Sequence, residues 1–85
     1  MEDDELSERD ARVLDFERRP FRHHGWKEEA IRVEFGLPAA RYYQLVNAVI
    51  DKPAALIADP QLVYRLRAAR EARVAARASR RFGVA

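Results

Sequence analysis

Eighty-five residues suffice for one small core and no second domain, and with no cysteine they exclude disulfides, thiolate catalysis and cysteine-based zinc sites. No apolar run of about 18 residues is available to cross a membrane. The net charge of +2 hides a polarity: residues 1–10 set six acids against Arg9 alone, whereas residues 65–81 set seven arginines against Glu71 alone. Such asymmetry fits a basic arm for a polyanion and an acidic tail, although solvated helix ends have the same composition.

In chain order, Ser7 with Asp10 three positions on reads as an N-cap with an acidic N3, and Val13, Leu14 and Phe16, with Ala11, supply an apolar face. The first helix is expected over Glu8–Arg19, ended by Pro20, and residues 21–25 form a connector. Trp26 opens the next segment, where Phe16, Phe21 and Trp26 read as core or staple aromatics. Ala30, Ile31 and Phe35 give helical spacing over Glu28–Phe35. Gly36 stops that helix, and Pro38 stands where a following first turn tolerates proline. A third helix is expected over Ala39–Ile50, burying Tyr42, Leu45, Val46, Val49 and Ile50. Residues 53–58 make a short turn that packs Leu56 and Ile57. Asp59-Pro60 is an N-cap followed by a first-turn proline, opening a last helix that runs to about Arg80.

The constellation that carries function is helix, Gly36-Leu37-Pro38, helix. A DNA-binding helix-turn-helix needs a supporting first helix, a tight turn, and a second helix with one buried and one exposed face. The stretch Ala30-Ile31-Arg32-Val33-Glu34-Phe35-Gly36-Leu37-Pro38 resembles the helix-turn-helix of sigma-70 region 4 and response-regulator output domains. Those families have alanine where Arg32 stands, so the resemblance implies that Arg32 turns outward or lays its stem along the contact. Over residues 11–70 the chain is also similar to a family of short actinobacterial proteins classed as a domain of unknown function. That likeness rests on Asp15-Phe16-Glu17-Arg18, Trp26 to Arg32, Phe35-Gly36-Leu37, Arg41-Tyr42-Tyr43-Gln44, Asn47 and Asp59-Pro60, and it implies a helical DNA-binding fold.

The expected architecture is all-α, about four helices with a long basic C-terminal one. Residues 1–6 are expected as a disordered acidic tail, 7–69 as the helix-turn-helix domain and 70–85 as a basic helical extension. The expected partner is double-stranded DNA. Ala39, Ala40, Tyr43, Gln44 and Asn47 are candidate base contacts, since Gln and Asn match adenine and small or aromatic groups meet thymine methyls. Lys27, Arg41, Arg70, Arg73, Arg77, Arg80 and Arg81 are candidate phosphate contacts. The role is nucleoid-associated or regulatory, in the cytoplasm, with homodimerisation or an RNA polymerase contact open. The alternatives are a module that docks on polymerase or a sigma factor, and RNA binding through the arginine-rich helix alone. His23 and His24 are adjacent and do not converge on a metal, Asp15 and Glu17 point apart on their helix, and no phosphate loop or nucleophile set occurs. Neither enzyme activity nor a cofactor or metal is expected.

Overall fold

The computed structural model describes residues 5–81, and those residues are all-α. Five helices follow one another: α1 (Glu8–Glu17), α2 (His24–Phe35), α3 (Ala39–Ile50), α4 (Pro53–Ala58) and α5 (Pro60–Arg81). The fold class expected from sequence holds, with one helix more than the four anticipated, because residues 53–58 close a full helical segment behind Pro53.

Helix α1 starts at a capping box, in which the Ser7 hydroxyl accepts from the Asp10 amide (3.0 Å) and the Asp10 carboxylate accepts from the Ser7 amide (3.2 Å). It stops at Glu17, two residues before the expected end. The residue ahead of a proline is biased away from the helical region, and Arg18 and Arg19 close the helix as a turn before Pro20. Helix α2 begins four residues before the expected Glu28. Its first turn holds Gly25, which reads as a breaker in sequence. The His23 carbonyl nonetheless accepts from the amides of Trp26 and Lys27, so the glycine sits where helical geometry is already imposed. Gly36 ends α2 at φ 67°, a left-handed conformation that glycine adopts without steric cost. Helix α3 matches its expected bounds, and Pro60 opens α5 as expected.

The core is formed by Val13, Leu14 and Phe16 of α1, Ile31 of α2, Tyr42, Val46, Val49 and Ile50 of α3, Ala55 of α4, and Leu62 and Val63 of α5. Phe16 packs edge-on against Phe35 and Tyr42, with ring centroids 5.5 and 5.4 Å apart. Four apolar expectations are corrected. Trp26 is 60% exposed, its ring edge-on to His23 at the start of α2 instead of in the core. Ile57 is 81% exposed, because the short α4 turns Ala55 and Leu56 inward. Ala11 lies on the solvent side of α1, and Leu45 is half-buried at the edge of the α3 stripe. Leu6, counted with the tail, packs against the core and Glu5 is exposed; residues 1–4 of the expected tail and the end of the extension, residues 82–85, lie outside the described residues. Helix α5 runs without a break through residue 70, and from residue 71 onward every described side chain is exposed.

Candidate nucleic-acid interface

The site rests on how α3 is held. Its inner face is anchored by Tyr42, fully buried, whose hydroxyl donates to the Glu17 carboxylate at 2.5 Å. The other Glu17 oxygen takes the Lys27 ammonium at 3.0 Å, so one buried carboxylate ties α1, α2 and α3 together. Burial, and after it the Glu17 carboxylate, pushes the Tyr42 hydroxyl far above the ordinary phenol range, which keeps it a neutral donor. A second buried carboxylate, Asp10, pairs with Lys52 at 2.5 Å and ties α1 to the end of α3. The chain's only two lysines thus serve the two acids buried among the described residues.

The far end of α3 is held by α5. The Arg67 guanidinium donates twice to the Ile50 carbonyl, at 2.9 and 2.7 Å, where helix carbonyls lack intrahelical partners. Arg70 grips Asp51 with two nitrogens, at 2.9 and 3.2 Å, and reaches the Asn47 carbonyl at 3.5 Å. This pairing holds the Asp51 carboxyl below the usual carboxylate range and raises Arg70. Arg65 donates to the Glu17 carbonyl at 3.3 Å, and Arg18 bonds to Asp59 at 2.7 Å beside the start of α5.

These contacts sort the residues expected to meet DNA. On α3, Ala40, Arg41 and Gln44 are exposed on the outer face, where Ala48 joins them one turn after Gln44. Ala48 was not singled out from sequence, although its i+4 spacing from Gln44 places it there. Ala39 is half-buried. Tyr43 and Asn47 are also half-buried and line a cleft between α3 and α5 instead of the outer face. The Tyr43 ring lies under the Lys27 ammonium at 5.4 Å. Lys27 and Arg70 are both engaged inside the fold. Arg73, Arg77, Arg80 and Arg81 are different: among the described residues none has a carboxylate within ion-pair distance. Arg73, Arg77 and Arg80 flank one hollow of about 340 Å³ on α5, which contains no acidic residue.

The amino end of α3 adds a second polar feature. Its cap position is Pro38, no described side chain caps it, and its first turn carries no acid, so no side chain answers its leading amides. Arg32 turns to solvent, which resolves the crowding that its place in the turn motif raised. Among the described residues, no group of His, Asp or Glu side chains is placed to hold a metal, and no helix is long and apolar enough to cross a membrane. No curated protein and no solved structure matches the chain. A family model described as protein of unknown function (DUF3263) matches residues 5–78, nearly the whole chain, and the protein belongs to that family.

Proposed function

We propose that this protein binds double-stranded DNA, with α3 in the major groove and α5 along the phosphate backbone. The observation that carries the reading is the division of labour among the arginines. Arg12, Arg18, Arg19, Arg65, Arg67 and Arg70 are spent on bonds within the fold, while Arg73, Arg77, Arg80 and Arg81 stand together on α5 without carboxylate partners. Three of them, Arg73, Arg77 and Arg80, flank a hollow on α5 that no acidic residue lines. The short turn at Gly36-Leu37-Pro38 supports the reading, because it sets an uncapped, acid-free helix end beside an outer face of Ala40, Arg41, Gln44 and Ala48.

In this arrangement Gln44 reads a base edge, Ala40 and Ala48 allow close approach to thymine methyls, and Arg41 takes a phosphate or guanine at the groove's lip. Tyr43 and Asn47 stand at the cleft-side border of the contact. The likeness to sigma-70 region 4, to response-regulator output domains and to actinobacterial proteins belongs to this proposal, as do the nucleoid location and the regulatory or packaging role. One module of this size makes a small interface, so selective binding calls for two copies on paired half-sites.

The test is a gel-shift selection on genomic fragments with wild type and two variants. Gln44→Ala weakens the preferred site about tenfold or more against random sequence, whereas replacing Arg73, Arg77, Arg80 and Arg81 by alanine weakens all sequences alike. Absence of any shift at low salt overturns the proposal, and a shift transferred to single-stranded RNA in competition favours the arginine helix acting alone.

A further inference from the structure

A cleft of about 650 Å³ opens between the α1–α2 connector, α2, α3 and α5, and DNA binding gives it no task. Its floor is apolar: Phe21, Tyr43, Val46 and Leu66 all pack on or belong to the core. Its polar edge is cationic, with Lys27, Arg65 and Arg73 on the lining. The one acid on the lining, Glu17, is 4% exposed at its side chain and already matched by Lys27 at 3.0 Å. Arg65 donates to the Glu17 carbonyl at 3.3 Å, whereas Arg73 has no carboxylate within ion-pair distance among the described residues, so its charge remains unanswered.

We infer that this cleft binds an amphipathic organic anion: an aromatic or short aliphatic body on the apolar floor, with its carboxylate held by Arg73 at the cationic edge. The volume lies in the range of about 300–1,000 Å³ typical of small-molecule sites. Walls from four parts of the fold make it a concavity and not a groove along one helix, which favours a compact ligand over a partner's helix. A neutral ligand leaves Arg73 idle, and a cation meets the arginine edge as repulsion. Because Arg73 also belongs to the arginine face of α5, ligand and DNA compete for it. That consequence alone rests on the DNA reading, and the binding test is run without DNA so that the two fail separately.

The test is a titration of the full-length protein with naphthoate, followed by amide NMR, with naphthalene methanol as the neutral probe of similar shape. Saturable shifts are expected at Phe21, Tyr43, Leu66 and Arg73, with the neutral probe at least about tenfold weaker. Arg73→Ala, an exposed position, weakens naphthoate about tenfold, the usual effect of losing one charged hydrogen bond. Ala69→Trp, which fills the cleft from α5, abolishes binding. The assignment is overturned if shifts fail to saturate or scatter over the surface, if the neutral probe binds equally, or if Arg73→Ala has no effect. It is also overturned if an acidic helical peptide displaces naphthoate and binds the same residues more tightly.

Discussion

Two buried carboxylates decide the fine geometry of this fold. Glu17 answers both the Tyr42 hydroxyl and the Lys27 ammonium, so its removal leaves two buried or half-buried polar groups without partners. Glu17→Ala is expected to lower stability by about 2–3 kcal/mol, and Tyr42→Phe, which deletes a single bond, by about 1 kcal/mol; urea denaturation measures both. At Asp10, burial alone would raise the carboxyl, but the Lys52 ammonium and the Ser7 amide and hydroxyl outweigh it and hold the group below the usual carboxylate range. Asp51 is held down by Arg70, and Asp59 by Arg18 and the Leu62 amide. Groups depressed in the folded state contribute stability that is present above their ordinary pKa near pH 4 and is lost as pH falls through the folded values. The melting temperature is therefore expected to hold from neutrality down to about pH 4 and to drop below it. Lys52→Met is expected to be less stable at neutrality and to lose less on acidification.

At the scale of the element, much was legible in the sequence, and the reasons are local. The bounds of α3 follow from Pro38, a clean apolar stripe and Asp51-Lys52-Pro53. The start of α5 follows from Asp59-Pro60, where the Asp59 carboxylate accepts from the Leu62 amide at 3.2 Å. The start of α2 was hidden by Gly25, whose low helix propensity is overridden at a helix's first turn. The polar anchors were hidden for another reason. An acid on an amphipathic helix reads as solvated, and only its register shows otherwise: Asp10, Val13, Leu14 and Glu17 form one i, i+3, i+4, i+7 stripe, all buried. Lys27 by its charge and Arg70 by its place in the arginine stripe of the last helix read as phosphate ligands, yet each has a carboxylate on another part of the chain, a pairing that spacing does not reveal. Helix α5 has two parts with different duties. Up to Arg70 it braces α3, and beyond that every described side chain is exposed and none makes a hydrogen bond or ion pair to the rest of the described fold. Ending the chain after Ala72 is accordingly expected to change folding stability by no more than about 1 kcal/mol while removing most of the affinity for DNA. Thermal melts and binding isotherms on the same sample separate the two effects.

Taken whole, the molecule pairs a well-stitched helical body with a projecting basic arm. Its modest net charge of +2 arises because the acids lie largely in the first ten residues and within ion pairs, leaving α5 as a concentrated positive end. The central claim is that this arm and the outer face of α3 engage duplex DNA. The most direct measurement is fluorescence anisotropy on a labelled duplex across a salt series. With Arg41, Arg73, Arg77, Arg80 and Arg81 each neutralising a phosphate, log K is expected to fall against log salt with a slope of about −4 to −5, and to flatten to about −1 when the four α5 arginines become alanine. No binding at low salt, or a slope unchanged by those four substitutions, would contradict the account.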